Sequence, residues 1–374
     1  MTQTHGTRTR PRWSKPSAPI TSRVAYAAAH VVPRAGSDTS PAGEPEIDWE
    51  STLTFRRSLW SWGLGVAEAM DTAQRGMGLS WPAARELIRR SAAEAAACGG
   101  SIVAGACTDQ LETATSLDQV IAAYEEQVHE VSAAGADVVI MASRHLCALA
   151  ASPDDYLRAY GRAVAAADGP VILHWLGPAF DPALEGYWGS SDPAAAAEVV
   201  LTLVREHQAK IDGLKLSLLD ADFERSLRAA LPAGVRLYTG DDFNYPELIR
   251  GDGERHSDAL LGAFAAIAPA ASAALQALDA GDAAGYESAL GPTLELSRHV
   301  FAAPTRYYKT GIAFLAWLNG HQPHFTMVGG LHSGRSAAHL IRAYELAVAA
   351  GVIEDPELAA GRLAHFEAVT GASQ

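Results

Sequence analysis

Five short apolar runs, each followed by a helix-length segment, constrain the fold of this chain more than any other feature. They read "SIVAGA" (Ser101–Ala106), "ADVVIMA" (Ala136–Ala142), "PVILHWL" (Pro170–Leu176), "IDGLKL" (Ile211–Leu216) and "GVRLYTG" (Gly234–Gly240). A strand with one wet face alternates polar and apolar residues. These runs are apolar throughout, as strands covered on both faces must be. Between them, helices are expected over Ser116–Ala134, Asp154–Ala167, Pro193–Gln208 and Ala221–Leu231. Earlier in the chain, "RVAYAAAHVV" (Arg23–Val32) is an expected first strand, and Asp48 caps an expected helix to Trp62. Ser80 and Pro82 open another as cap and first-turn proline. "LLGAFAAIAP" (Leu260–Pro269) is taken as the last strand candidate, with helices to the end.

Strand and helix alternating at this length predict an α/β fold, a (β/α)8 TIM barrel with a C-terminal helical extension. A doubly wound open sheet is the alternative, but no G-x-G-x-x-G follows the first strand. The expected division is a flexible arm over 1–20, a barrel over 21–267 and a helical region over 268–374. A chain of 374 residues suits one such barrel.

Composition narrows the function classes. A net charge of −14 without a Lys/Arg-rich run argues against nucleic acid as a partner. No uninterrupted apolar stretch is long enough for a membrane helix, and the basic first residues lack the apolar centre of a signal peptide, so a cytoplasmic protein is expected. Cys98, Cys107 and Cys147 are odd in number and form no C-x-x-C; they read as small buried hydrophobes in a reducing compartment.

In a TIM barrel the reactive groups stand at the C-terminal ends of strands. That rule selects His30, then Glu68 and Asp71, Thr108 and Asp109, and Ser143, Arg144 and His145. It goes on to His174 and Trp175, Lys215, and Thr239, Gly240, Asp241 and Asp242. Lys215 is the sharpest of these. Its strand neighbours Leu214 and Leu216 are apolar, and no polar residue follows before Ser217. Burial disfavours an ammonium ion and lowers its pKa, and a neutral lysine is a nucleophile toward carbonyl carbon, the start of Schiff-base chemistry. Asp241 is assigned to orient Lys215, and Gly240 to let the backbone come close to a ligand. Glu68, Asp71, Arg144, His145, Trp175 and Asp242 are assigned to substrate.

"IDGLKLSLLD" followed by "VRLYTGDDF" resembles the dihydrodipicolinate synthase and N-acetylneuraminate lyase superfamily, class I aldolase barrels with the lysine in a G-[IL]-K setting. "SIVAGACTD", "YEEQVHEVSAAGADVVIMAS" and "SPDDYLRAYGRAVAAADGPVILHWLG" resemble its third, fourth and fifth strand units. The likeness runs over about Arg23–Gly320, to a branch of that superfamily without a defined activity. It implies a Schiff-base lysine at Lys215, a small carbonyl substrate, no cofactor, and a homo-oligomer, dimer or tetramer. The family's fifth strand carries a tyrosine as proton relay; here His174 stands in that place and is assigned the role. The family's paired threonines, expected within "GVAEAMDTAQRG", and its carboxylate-gripping arginine, expected in "GPAFDPALEGYWG", are missing from their motifs, which puts pyruvate as donor in question.

The function expected is therefore a class I aldolase or lyase acting on a small oxo compound, a keto acid or a derivative from carbohydrate metabolism. A divalent-metal isomerase or lyase is the alternative, with His321, His324 and His332 near one another in sequence but in no zinc spacing. A metabolite-binding barrel without turnover is a third. Trp60, Trp62, Trp175 and Trp188 are considered as a sugar-stacking floor.

Overall fold

The computed structural model describes residues 12–41 and 43–372. Each of the five apolar runs becomes a strand that hydrogen-bonds to the strands before and after it in the sequence. The strands are β1 (Ala25–Ala28), β2 (Gly65–Glu68), β3 (Ile102–Ala106), β4 (Asp137–Ile140), β5 (Val171–Leu176), β6 (Ile211–Ser217), β7 (Arg236–Thr239) and β8 (Asp258–Leu261). All pairs are parallel, and β8 closes on β1, giving a barrel of eight strands. The expected (β/α)8 barrel is present.

The helices are α1 (Trp49–Ser61), α2 (Trp81–Cys98), α3 (Leu117–Ala133), α4 (Arg144–Leu149), α5 (Pro153–Ala166), α6 (Pro193–Glu206) and α7 (Ala221–Ala230). They continue with α8 (Tyr245–Arg250), α9 (Ala263–Asp279), α10 (Ala283–Leu290), α11 (Leu294–Val300), α12 (Tyr308–Leu318), α13 (Ala337–Ala350) and α14 (Pro356–Thr370). Local chemistry sets their starts. Asp48, Ser80, Ser116, Asp192 and Asp220 each accept a backbone N–H of the following first turn. None of the described helices is long and apolar enough to cross a membrane.

Side chains alternate between two environments along each strand. Ala67, Val103, Val139, Ile172, Tyr238 and Leu260 fill the barrel interior. Leu173, Trp175, Leu214, Leu216 and Leu237 face the helical ring. β5 and β6 lie in register with His174 beside Lys215, so both project into the interior.

Three expectations about boundaries change. The run Leu260–Pro269 is mostly helix: β8 ends at Leu261 and α9 begins at Ala263. A segment buried on all sides is apolar all round whether it is strand or helix, so its pattern could not separate the two. The boundary between 267 and 268 consequently falls inside α9, at the kink made by Ile267 (φ −125°) just before Pro269. Of the arm expected to be flexible, residues 12–20 lie on the body, where Arg12 donates to the carbonyl of Ala350 and Gln276 donates to that of Ser14. Residues 1–11 lie outside the described residues. The three thiols are free, but Cys98 is exposed, and Cys107 and Cys147 are half-buried, so none is a fully buried hydrophobe.

One buried acid gives the fold a pH dependence. Glu224, on α7, is 1% exposed and accepts from Ser257 Oγ (2.7 Å) and Thr239 Oγ1 (3.0 Å). Burial pushes its carboxyl up to about 8, against those hydrogen bonds. A folded-state value above the unfolded one favours the folded state while the group is protonated. That advantage is full below the unfolded value and disappears as pH rises through about 8. Glu224→Gln should remove most of that loss, making the variant more stable than the native protein above pH 8 by on the order of a few kcal/mol. Melting temperatures of both proteins across this range check it; parallel curves would refute it.

Candidate active site

Lys215 occupies the second-last interior position of β6 and is 7% exposed. It makes no hydrogen bond or ion pair with any described residue. The chamber into which it projects is lined by Asp71, Thr72, Phe180, Ser217, Asp242 and Tyr308, among others. Burial pushes the Lys215 ammonium down, opposed first by Asp71 and then by Asp242. Asp242 is nearly enclosed, and burial raises its carboxyl to about 8, against a hydrogen bond from the Ala263 N–H (3.0 Å) and the nearby lysine. Burial thus disfavours the charged form of both groups.

Sharp backbone turns bring these groups over the mouth. Ala69, directly after β2, and Leu219, shortly after β6, both take left-handed φ values (49° and 61°), sparsely populated for residues with a Cβ. The first turn swings Asp71 and Thr72 inward. Gly240 lines the same chamber, and a Cβ there would stand 2.1 Å from Ser217 Oγ and 3.1 Å from Lys215 Cε, so the glycine makes room for the lysine stem and the serine.

The structure separates the residues assigned to the site. Lys215, Asp71 and Asp242 come together. Arg144 and His145 line a neighbouring outer pocket, Arg144 paired with Asp181 (2.6 Å) and His145 Nδ1 with Thr108 Oγ1 (3.0 Å). His174 is fully buried. Its Nε2 meets Ser217 Oγ at 3.3 Å and its Nδ1 has no partner, so it reaches the chamber only through Ser217. Burial, then Lys215, holds its imidazole well below the ordinary value and therefore neutral.

Glu68 is a correction. It points between β2 and α1 and forms a fully buried two-pronged pair with Arg56 (both contacts 2.8 Å), so it does not face substrate. Asp241 is another. Its carboxylate accepts the N–H groups of Phe243 (2.8 Å) and Asn244 (3.1 Å) and the Asn244 amide, which makes it a turn cap; Asp242 is the acid that faces Lys215. Trp175 alternates outward on β5 and packs edge-on against Trp188 and Phe223. Trp60 donates to the carbonyl of Ser101 and Trp188 is buried among tyrosines, so the tryptophans form no common floor. His30 is held by Gln322 (2.6 Å). His321, His324 and His332 bond to Glu354, Thr326 and the Met327 N–H, and among the described residues no three His, Cys, Asp or Glu side chains cluster as metal ligands.

Three groups at the mouth escaped sequence reading. Thr72 and Tyr308 share a hydrogen bond (2.7 Å) at the chamber wall, so a threonine does stand after the second strand. Burial, then Asp71, raises the Tyr308 phenol well above its usual value, keeping it protonated. Lys309, next in sequence, faces the outer pocket. A signal existed: α12 is buried along its whole length, and a lysine in an otherwise apolar helix is as isolated as Lys215 in its strand.

The inner chamber is small, about 10 Å³, room for roughly one water. The outer pocket is about 340 Å³ and shares Asp71, Leu176 and Phe180 with it. Phe180, on the loop after β5, stands edge-on to Tyr308 (6.1 Å between ring centres) and forms the partition.

Solved structures share this architecture. The chain is similar to dihydrodipicolinate synthase from Aquifex aeolicus (TM-score 0.66, 13% identity, covering 89% of this chain and 99% of that one). It is similar as well to that from Oceanobacillus iheyensis (0.64, 16%, 87% and 95%). A third is the 4-hydroxy-tetrahydrodipicolinate synthase of Methylacidiphilum fumariolicum SolV (0.65, 15%, 92% and 99%). At such identities the likeness establishes the fold. No curated protein sequence matches the chain. A family model matches residues 1–372, and the chain belongs to that family, described as "Protein of unknown function (DUF993)".

Proposed function

We propose that this chain is a class I lyase or aldolase whose nucleophile is Lys215, acting on a small oxo compound. One observation carries the reading: a buried amine without a hydrogen-bond partner among the described residues projects into the C-terminal mouth of the barrel, where reactive groups of this fold stand. A lysine kept only for stability would be paired with a carboxylate, because an isolated buried charge is costly. The similar structures named above as dihydrodipicolinate synthases agree with a lyase on this fold.

The amine attacks the carbonyl carbon, forming a C–N bond, and a proton passes from nitrogen to the former carbonyl oxygen. Proton transfer to that hydroxyl and loss of water then leave an iminium. Cleavage at the adjacent carbon leaves the bond's electron pair in an enamine: from a C–C bond the departing carbon leaves as a carbonyl, its hydroxyl proton going to a base, and from a C–H bond the hydrogen leaves as a proton. Protonation of the enamine carbon and attack of water on the iminium then release the product carbonyl and regenerate the lysine. Tyr308 and Thr72 supply the proton path: the phenol is protonated at rest and sits in the chamber. His174 positions Ser217. Substrate enters from the outer pocket past Phe180.

Borohydride reduction in the presence of oxo compounds, read by peptide mass, tests the reading. A reduced adduct on the peptide containing Lys215 is expected, and its absence across keto acids and oxo-sugars would sink it. Tyr308→Phe should lower kcat by about 10²–10⁴-fold with KM changed little, because only the proton route is lost. A matching rise in KM at constant kcat would instead make Tyr308 a binding group.

A further inference from the structure

We infer that Lys309 is the anion-binding group of an outer subsite, and that the substrate carries a carboxylate or phosphate at the end remote from its carbonyl. This inference rests on the reading of Lys215 as the carbonyl-binding amine. Lys309 is 2% exposed and projects into the 340 Å³ outer pocket. Its only hydrogen-bond partner among the described residues is Met77 Sδ (3.3 Å), a thioether and a weak acceptor. No described carboxylate lies within ion-pair distance of it.

The arginines of the pocket already have carboxylate partners among the described residues. Arg75 is held by Asp109 and Gln127, and Arg144 by Asp181. Among the acids, Asp109 and Asp181 are taken by those arginines, Glu112 is exposed, and Asp71 stands where it acts on both lysines. Lys309 is thus a buried cation with acceptor capacity missing, the condition that a bound anion relieves. Burial lowers its ammonium to about 8, opposed by Asp71 and Asp181, so an incoming anion would also draw a proton onto it.

Position fixes the substrate's shape. Tyr308 and Lys309 are consecutive on α12 and face different spaces, Tyr308 the inner chamber and Lys309 the outer pocket. The two spaces meet at Asp71, Leu176 and Phe180. A molecule with its carbonyl carbon at Lys215 must extend through that junction, and the first unmatched cation it meets is Lys309.

Matched probe pairs test the inference: glyceraldehyde against glyceraldehyde phosphate, and butanal against succinic semialdehyde. Each is offered with borohydride to the native protein, Lys309→Met and Lys309→Arg. Labelling of Lys215 should be about tenfold or more efficient with an anionic member, corresponding to one charge-assisted contact. Which pair shows the preference separates phosphate from carboxylate. Lys309→Met should abolish the preference and Lys309→Arg should retain part of it. Equal labelling by neutral and anionic probes, or a preference that survives Lys309→Met, overturns the inference and leaves the Lys215 mechanism standing.

Labelling by no probe overturns the Lys215 mechanism instead, and inorganic phosphate then decides the subsite. Calorimetric binding of phosphate that weakens about tenfold in Lys309→Met supports the subsite, and unchanged binding refutes it.

Discussion

Replacing Lys215 with methionine should reduce turnover by about four orders of magnitude or more and leave the protein folded, with a melting temperature at neutral pH no lower than the native one. The first effect follows because no other described amine lines the inner chamber, so neither the covalent step nor the iminium that follows can form. The second follows from the sign of the pKa shift. A lysine whose folded-state value is depressed binds its proton less tightly when folded, so it costs stability at every pH where the unfolded chain keeps that proton. Methionine keeps most of the apolar stem and removes the amine. Asp242 is pushed toward its neutral form, so it tolerates losing the cation. Loss of activity together with an unchanged or raised melting temperature separates a chemical role from a structural one. A folded variant with native turnover would refute the mechanism.

The largest stability effect is expected at Glu68. Glu68→Gln leaves the Arg56 guanidinium fully buried and without its carboxylate, which should cost about 3–5 kcal/mol. Turnover per folded molecule should stay native, because Glu68 faces α1 and not the barrel mouth. Replacing both members with apolar residues, Arg56→Met with Glu68→Leu, should recover much of the loss, since the cost lies in the orphaned charge more than in the missing bond. Chemical denaturation of the two variants beside the native protein measures this. A folded Glu68→Gln protein of native stability but low activity would return Glu68 to the site.

The contrast between Glu68 and Asp71 shows how far sequence reading reaches. Glu68 ends the short strand β2, Asp71 lies three residues further on, and both are acidic. Their fates differ because side chains alternate across a strand and because Ala69 turns the chain inward after it. Alternation is legible once the register is known, but a run apolar on both faces does not show which residues point inward. Asp241 and Asp242 pose the same problem. Adjacent and identical, one caps a turn through Phe243 and Asn244, and the other reaches Ala263 and the lysine.

By itself the sequence determined the elements with strong local chemistry. The capped helix starts at Asp48 and Ser80, the apolar runs that become strands, and the isolation of Lys215 in such a run were all readable, because capping bonds and burial patterns act within a few residues. Tertiary structure alone decided what surrounds that amine. Tyr308 and Lys309 lie more than ninety residues beyond Lys215 on a helix of the C-terminal extension, and Thr72 well over a hundred before it. They meet because a closed barrel gathers its strand ends onto one rim and α12 packs back over that rim. Contacts between such distant segments depend on how the whole core closes, which no local pattern of residues encodes.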